Sequence, residues 1–302
     1  MDFDAFRMFA DKIHLYYSEQ EPLSRHTSFK IGGPAEIYAE PETAEQVGEL
    51  IRFAKEWDIR LLPMGKGSNV LVPDEGLRDV VLHFGSKFSD IKLLDGETVY
   101  CEAGASLTKL CHFALEHSLT GLEFAYGIPG SVGGAVFMNA GAYGGEMKDI
   151  LLYADHFDAN GRAGRFSEEE LQLSYRRSIY SEGGYLITGA AFHLEKGSRE
   201  EIKAKMEELL AKRYEKQPMD KPSAGSTFKR PEGAFASALI DQCGLKGLKE
   251  GGASVSTKHA GFVVNDGGAT CRDVLELMKK IQKKVQEETG FFLEPEIEIL
   301  TE

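Results

Sequence analysis

The amino-acid sequence predicts an α+β protein with a two-lobed first domain and a smaller second domain. At 302 residues the chain is longer than one ordinary hydrophobic core requires. Helical and extended patterns are mixed without the steady strand–helix alternation of a doubly wound sheet. The composition changes where a highly charged helical pattern begins, near residue 197. We therefore expect lobes at residues 1–84 and 85–196 and a carboxyl-terminal domain at residues 197–302.

The first lobe is predicted to contain one helix and two short strands. Thr43 and Gln46 fit a capping box at the start of a helix over residues 43–57, in which apolar residues recur at helical spacing. Extended runs over residues 60–62 and 80–84 follow, with a glycine-containing loop between them.

The second lobe is predicted to combine strands, a helix and a long ordered loop. Residues 98–102 alternate as a strand, and Ser106 caps the helix that follows. Residues 121–145 are rich in glycine but also hold aromatic and aliphatic anchors, which linkers lack. This segment is typical of an ordered loop whose backbone approaches a ligand closely. Strands are expected over residues 151–157 and 186–194.

The carboxyl-terminal domain is predicted to start with a charged amphipathic helix over residues 198–216, which Pro218 ends. A strand is expected over residues 262–265. A second amphipathic helix is expected over residues 270–288, and a closing strand over residues 296–300. We find no internal repeat.

Composition and charge exclude several classes of function. The formal net charge is −13, from 35 basic and 48 acidic side chains, so a nucleic-acid binder is disfavoured. An anionic ligand would have to be held by local backbone amides and a few placed cations, against the overall field. No run approaches the roughly 20 apolar residues that span a bilayer, so no membrane partner is expected.

The cysteines and the amino terminus indicate the compartment. The four cysteines are scattered and form no Cys-x-x-Cys pair, which is typical of a reduced protein without disulfides or a zinc site. We therefore expect no metal. The acidic amino terminus lacks the basic and apolar regions of a secretory signal. We expect a cytoplasmic protein.

A first candidate ligand loop follows the predicted strand at residues 60–62. Two glycines separated by one residue let backbone N–H groups converge on an anion. The pattern is neither the dinucleotide fingerprint nor the phosphate loop ending in Gly-Lys-Ser, and a tight turn explains it equally well. The loop comprises Pro63, Met64, Gly65, Lys66, Gly67, Ser68 and Asn69.

A second, longer loop favours ligand binding over a purely structural turn. Two backbone-exposing loops, each next to an apolar strand, fit an extended dinucleotide with its pyrophosphate on backbone amides and a flat ring along the second loop. A purely structural glycine turn is the alternative. The candidate residues are Gly127, Ile128, Pro129, Gly130, Ser131, Gly133, Gly134, Ala135, Asn139 and Gly141.

Together with residues 25–33, these loops resemble the UDP-N-acetylenolpyruvoylglucosamine reductase (MurB) family, and the resemblance covers nearly the whole chain. It implies an FAD-binding domain of the vanillyl-alcohol-oxidase type followed by a substrate-binding domain. It also implies noncovalent FAD, NADPH as hydride donor and UDP-N-acetylglucosamine enolpyruvate as substrate. We expect a monomer or weak oligomer.

The resemblance implies Arg176, Ser226 and Glu296 as catalytic residues, although each alone could be an ordinary surface residue. Hydride addition to the β-carbon of an enol-ether carboxylate builds negative charge on the α-carbon and carboxylate. A guanidinium can pair with that carboxylate. The family assigns α-carbon protonation to Ser226, and Glu296 can help to polarise the enolate.

The resemblance also indicates substrate contacts and a branch of the family. Tyr175, Lys229, Arg230 and His259 are candidate contacts to the substrate, although His259 is equally explained as a packing residue. The short segment between Tyr175 and the strand at residue 186 lacks an inserted tyrosine lid. The chain therefore resembles the lidless type II branch.

Two other functions remain open from the sequence. One is an alcohol or hydroxy-acid oxidase on the same fold, whose flavin is often tethered through histidine or cysteine. His83 and Cys101 lack a recognisable linkage context for this. The other is a nucleotide-binding protein that has lost catalysis, which retention of Arg176, Ser226 and Glu296 disfavours.

Overall fold

The structure is a computed structural model that describes residues 3–301, and Met1, Asp2 and Glu302 lie outside the described residues. Within that range the predicted α-helices are all present, and three further ones occur at Phe3–Lys12, Val132–Phe137 and Ala236–Gln242. In chain order the helices are α1 (Phe3–Lys12), α2 (Ala44–Glu56), α3 (Leu107–Glu116), α4 (Val132–Phe137), α5 (Arg199–Lys216), α6 (Ala236–Gln242) and α7 (Cys271–Thr289).

A strand falls close to each predicted run, and eleven further strands, two of them seven residues long, occur within the described part of the chain. In chain order they are β1 (Tyr16–Pro22), β2 (Pro34–Glu40), β3 (Leu61–Met64), β4 (Val70–Leu71), β5 (Leu77–His83), β6 (Ile91–Leu93), β7 (Thr98–Glu102), β8 (Leu119–Thr120), β9 (Gly141–Ala142), β10 (Gly145–Glu146), β11 (Leu151–Asp158), β12 (Ala163–Ser167), β13 (Tyr185–His193), β14 (Glu195–Lys196), β15 (Lys249–Glu250), β16 (Ala253–Val255), β17 (Val263–Asn265) and β18 (Glu298–Ile299).

Most strand pairs are antiparallel, which is typical of an α+β protein. A five-stranded antiparallel sheet has the order β12-β11-β13-β7-β6, and a four-stranded sheet has the order β1-β2-β5-β3. In the latter, β3 runs parallel to β5, with Leu61 opposite Val80. The strands β15, β16 and β17 form a three-stranded antiparallel sheet, and β18 pairs in parallel with β4. The α+β prediction is confirmed.

The described residues form two compact units, each discontinuous along the chain. One comprises residues 3–19, 37–66 and 79–211, and the other comprises residues 20–36, 67–78 and 212–301. We call them the first and the second unit. The sequence-based division at residues 84 and 196 stays a prediction, because compact units and sequence domains are defined differently.

The first unit encloses its own hydrophobic core, in which helix α2 packs as predicted. Thr43 accepts the Gln46 N–H at 3.2 Å, so the predicted helix cap is confirmed. The Gln46 side chain accepts the Glu42 N–H at 2.7 Å, one residue earlier than a capping box requires. The reciprocal half of the predicted box is therefore wrong. The largest fully buried side chains include Phe6, Leu50, Leu82, Leu107 and Phe192.

The second unit is built around helix α7, whose caps explain its length. Thr270 and Asp273 form a complete capping box at its start, with both hydrogen bonds 3.0 Å long. Gly290 ends the helix in the left-handed conformation at φ 79°. The hydrophobic core of this unit includes the buried residues Phe29, Leu71, Val274, Ile281 and Leu293.

The glycine-rich segment over residues 121–145 is ordered but not all loop. It contains the six-residue helix α4 and the short antiparallel pair β9 and β10. Glycine's low helix propensity hides α4 in the sequence, because two of its six residues are Gly133 and Gly134. No helix within residues 3–301 combines the length and the apolar character that crossing a membrane demands.

Candidate functional site

The two candidate loops meet within the first unit at Gly65. Strand β3 ends at Met64, whose carbonyl accepts the Phe84 N–H at 3.0 Å. A Cβ atom built on Gly65 would lie 2.0 Å from Oγ of Ser131 in the second loop. A side chain at this position would force Ser131 to move, so glycine favours the close approach of the first loop to the second.

Backbone hydrogen bonds fix the second loop on the segment between β7 and α3. Val132 and Gly133 donate their N–H groups to Ala105 O and Ala103 O, each at 2.8 Å. A Cβ on Gly133 would lie 2.9 Å from the Ala103 Cβ, so this position also requires glycine. Ser131 is buried and accepts the Gly134 N–H at 3.4 Å, which starts helix α4.

The rest of the first loop belongs to the second unit, where it joins the segment over residues 25–33. Gly67 has φ +57°, and a Cβ there would lie 2.3 Å from the His26 carbonyl oxygen. Gly67 O accepts the Ser28 N–H at 3.0 Å. The Asn69 side chain donates to the Glu296 carbonyl at 3.2 Å. The first candidate loop and the segment over residues 25–33, which both carried the family resemblance, therefore contact each other.

The remaining candidates differ in their exposure. Pro63, Lys66, Pro129 and Gly134 are exposed, and the intermediate or buried positions are Ser68, Gly127, Ile128, Gly130, Ala135, Asn139 and Gly141. Neither run, 63–69 or 127–141, contains an Asp or Glu, although the chain carries a net charge of −13. Backbone amides and hydroxyls without carboxylates fit the phosphates of FAD.

Arg176 lies in a strained turn of the first unit. Ser174 and Arg177 exchange backbone hydrogen bonds of 3.0 and 3.2 Å, so Tyr175 and Arg176 form the tip of the turn. Arg176 has φ +55°, a left-handed conformation that costs a non-glycine residue roughly 1–2 kcal/mol. Strain of this kind is frequent at functional sites, where the surrounding structure holds it.

Side-chain hydrogen bonds hold this turn against the segment that follows α4. Asn139 donates to Ser174 O at 3.0 Å, and the Ser178 hydroxyl donates to Phe137 O at 2.7 Å. The Arg176 guanidinium itself donates to Gly141 O at 3.4 Å. The structure thus brings the predicted catalytic arginine to the second candidate loop.

The two neighbouring arginines differ in their surroundings. Arg177 donates to Glu182 at 2.8 Å and is exposed. Arg176 is half-buried, and its guanidinium carbon lies 5.0 Å from the centre of the Tyr175 ring. Tyr175 is 49% exposed and lies beside the arginine. These contacts favour Arg176 over Arg177 as the functional group.

Ser226 and Glu296 lie on adjacent backbone segments of the second unit. Glu296 N–H donates to Thr227 O at 2.8 Å, and Phe228 pairs with Pro295 in an antiparallel bridge. Lys229 N–H donates to Glu294 O, also at 2.8 Å. Main-chain bonds therefore bring these two predicted catalytic residues together.

The predicted substrate contacts in the second unit have identifiable protein partners. Lys229 lies 3.5 Å from Glu294, and the Arg230 guanidinium carbon lies 4.3 Å from the centre of the exposed Phe235 ring. His259 accepts the Gly261 N–H at 3.2 Å. Burial lowers the pKa of His259 below its ordinary value, so its ring is neutral at pH 7.

Sequence reasoning overlooked the residues that support these groups. No role was predicted for Ser178, Glu146 or Thr227, yet Thr227 Oγ1 accepts the Val263 N–H at 3.0 Å directly beside Ser226. Ser178 could have been found, because it and Ser181 form a capping box for the turn that follows. Within residues 3–301, no cluster of three or more His, Cys, Asp or Glu side chains is arranged to hold a metal ion.

Comparison with known proteins identifies both parts of the chain. Residues 35–167 match a family model described as FAD binding domain, and residues 217–300 match the UDP-N-acetylenolpyruvoylglucosamine reductase, C-terminal domain. The chain is 49% identical over 282 residues to UDP-N-acetylenolpyruvoylglucosamine reductase of Caldanaerobacter subterraneus, covering 93% of each chain. It is 48% identical over 295 residues to the reductase of Agathobacter rectalis, covering 94% of each.

A solved structure shares the same fold. The crystal structure of UDP-N-acetylenolpyruvylglucosamine reductase (MurB) from Thermus caldophilus superimposes with a TM-score of 0.80 at 37% sequence identity. The match covers 95% of this chain and 99% of that one.

Proposed function

Because the chain belongs to the UDP-N-acetylenolpyruvoylglucosamine reductase family, we propose that it reduces UDP-N-acetylglucosamine enolpyruvate to UDP-N-acetylmuramate for peptidoglycan synthesis. The enzyme uses FAD and NADPH. The structural observation that carries this proposal is Arg176, which lies at a strained turn fixed against the glycine loop that fits the cofactor.

Residues of the two candidate loops would hold the cofactor. Backbone and hydroxyl groups of Gly65 and Ser131, and of Gly67 to Asn69, would contribute to its binding. When bound, FAD supplies hydride-transfer chemistry between NADPH and the enolpyruvyl group. The absence of carboxylates in both loops lowers the electrostatic cost of holding its pyrophosphate.

Arg176 acts on the substrate carboxylate. Its planar guanidinium pairs with a carboxylate through two parallel hydrogen bonds and stabilises the negative charge that develops as the β-carbon gains hydride. The turn fixes the backbone of Arg176, so less conformational entropy is lost when the ion pair forms. Tyr175, exposed beside it, contacts the substrate.

Ser226 and Glu296 complete the reduction at the α-carbon. Ser226 Oγ gives its proton to the α-carbon, which balances the hydride added to the β-carbon and yields the saturated ether. Glu296 polarises the enolate with Arg176. Lys229, Arg230 and His259 contact the phosphates or sugar of the substrate.

The segment that follows Arg176 supports assignment to the lidless type II branch. Residues 176–184 hold a short 3₁₀ helix at Ile179–Glu182 and then Gly183 and Gly184 before β13 begins. We also propose that the protein works in the cytoplasm, as a monomer or weak oligomer.

An anaerobic absorbance assay tests the proposed function. The purified protein should be yellow, lose its colour with NADPH, and regain it when the enolpyruvyl sugar nucleotide is added without oxygen. Reoxidation by oxygen alone, with the sugar nucleotide inert, would refute the proposal and favour an oxidase. Mass spectrometry of the product should show the gain of two hydrogens.

The oxidase alternative has weak support at the residues that could tether a flavin. Cys101 is fully buried, and burial raises the pKa of its thiol above the ordinary value, so little thiolate is available. His83 is stacked on Tyr38 and lies 3.8 Å from Glu40. Denaturation should therefore release the flavin into the supernatant.

A further inference from the structure

Asn139 makes its side-chain hydrogen bonds inside the protein. The residue is fully buried, and its amide nitrogen donates to Glu146 Oε2 at 2.7 Å and to Ser174 O at 3.0 Å. Its amide oxygen accepts the Lys148 N–H at 2.9 Å. Two acceptors face the nitrogen and a donor faces the oxygen, so the orientation of the amide is unambiguous.

The bond to Ser174 acts on the turn that carries Arg176. Ser174 O is the same carbonyl that accepts the Arg177 N–H and closes the turn. Arg176 therefore lies between a carbonyl held by Asn139 and the residue Ser178, which is anchored to Phe137. A shift of Ser174 O would rotate the peptide groups that set the direction of the Arg176 side chain.

The backbone explains why asparagine suits this position. Asn139 has φ +42°, and asparagine tolerates the left-handed conformation better than most residues. Glycine would also tolerate it but offers no side chain, whereas aspartate offers no N–H donor at neutral pH. Asparagine combines the backbone conformation with two donors.

We propose that Asn139 is a positioning residue that sets the orientation of Arg176 through Ser174 O. This inference rests on the proposed function, in which Arg176 binds the substrate carboxylate. Asn139 was predicted from the sequence to contact the cofactor. Both N–H groups of its side chain donate to Glu146 and Ser174, so the side chain links the glycine loop to the turn that carries Arg176.

The first test replaces the donors while keeping the shape. Asn139→Asp presents a carboxylate to both Glu146 and Ser174 O and should slow reoxidation of the reduced flavin by the sugar nucleotide roughly 10²-fold, the usual effect of a misplaced catalytic group. Flavin content and the rate of reduction by NADPH should stay unchanged. Loss of bound FAD or slower reduction would instead indicate a direct cofactor contact and overturn the inference.

A double variant separates positioning from stability. In Asn139→Asp combined with Glu146→Gln, the glutamine can donate to the new carboxylate, so the link between these positions is restored while Ser174 O still faces an acceptor. Melting temperature should recover toward that of the wild type, and reoxidation should stay slow. Glu146→Gln alone is the control and should react normally. If the reoxidation rate recovered together with the melting temperature, Asn139 would have only a structural role.

A cycle with Arg176 tests whether Asn139 acts through it. In an Arg176→Ala background, Asn139→Asp should slow reoxidation no further, because the group it positions is gone. A further slowing of the size seen in the wild-type background would contradict the inference.

A measurement independent of turnover keeps the inference separate from the proposed function. Limited trypsin digestion followed by mass spectrometry should show faster cleavage after Arg176 and Arg177 in the stable double variant than in the Glu146→Gln control. Equal cleavage would overturn the inference even if the wild-type enzyme reduces the sugar nucleotide. Faster cleavage in a protein that fails to turn over would support the inference about the turn while refuting the proposed function.

Discussion

The two regions that carry the predicted catalytic residues hold them in different ways. Arg176 stands at a left-handed turn whose ends are fixed by the side chains of Asn139 and Ser178. Ser226 and Glu296 lie on segments joined by main-chain bonds, such as Glu296 N–H to Thr227 O at 2.8 Å. The turn at Arg176 is closed by backbone bonds and held in place by two side chains, whereas most of the bonds that join the segments of Ser226 and Glu296 are main-chain bonds.

The difference predicts how each region responds to mutation. Main-chain bonds survive most substitutions, so the second unit should tolerate changes beside its predicted catalytic residues. A turn fixed by buried side-chain hydrogen bonds moves when one of them is lost, because its strained backbone relaxes. Substitutions around Arg176 should therefore affect the rate beyond their effect on stability.

The largest effect is expected from Ser226→Ala. Because general acid catalysis contributes roughly 10²- to 10⁴-fold, reoxidation of the reduced flavin by the sugar nucleotide should slow by a factor in that range. Reduction by NADPH should be normal, as rapid-mixing absorbance can show for each step separately. Unchanged reoxidation would mean that another group donates the proton.

The next largest effect is expected from Arg176→Lys. Lysine keeps the charge but loses the planar pair of donors, so reoxidation should slow by roughly 10²-fold, comparable to losing one well-placed transition-state donor. The neighbouring Arg177→Lys is a matched control, because Arg177 contacts exposed Glu182. Equal losses in both variants would refute the assignment of Arg176.

A matched pair of buried hydroxyls tests the comparison itself. Ser178→Ala removes the 2.7 Å bond to Phe137 O together with the Ser178 half of its capping box, and Thr227→Val removes the 3.0 Å bond from the Val263 N–H. Each should lower the free energy of unfolding by about 1–3 kcal/mol. Only Ser178→Ala should also slow reoxidation, by roughly 10-fold, about 1.4 kcal/mol of transition-state stabilisation. Stopped-flow rates and melting curves measure both effects, and equal slowing in the two variants would contradict the comparison.

The smallest effect is expected from Asp266→Asn, in the second unit. Hydrogen bonds from Lys221 and Ser254 lower the pKa of Asp266 to about 2 from its ordinary 3.8. Because the pKa is lower in the folded state, the stabilisation is present above about pH 4 and is lost as the pH falls toward 2. The substitution should cost about 1 kcal/mol or less at pH 7. Melting temperatures of both proteins should converge near pH 2, and reaction rates at pH 7 should match.

Most periodic segments of the fold could be predicted from the sequence, but helix α1 was not predicted although its apolar residues also recur at helical spacing. Helices α2, α3, α5 and α7 were confirmed because their apolar residues recur at helical spacing. Helix α4 was missed because glycine disguises it, and α6 because it has only seven residues. The pairing of β18 with β4 joins segments that are distant in the chain and carry no local signal.

Contacts between distant segments also limit what the sequence predicts about the candidate site. The family resemblance was enough to name Arg176, Ser226 and Glu296 as candidate catalytic residues, and their roles stay predictions. The left-handed backbone at Arg176 and its link to Asn139 depend on contacts across 35 residues of chain, which no local pattern encodes. Assignments of individual cofactor and substrate contacts stay predictions.

The central claim is that Arg176, in the strained turn, and Ser226, on a segment paired through its backbone, serve one chemical step. A double-mutant cycle with Arg176→Ala and Ser226→Ala measures this directly, through the rate at which the sugar nucleotide reoxidises the reduced flavin. Residues that act as a unit show strongly non-additive losses. We predict that the double variant reacts about as slowly as the slower single variant. A double variant slowed by the product of the two single effects would contradict the claim.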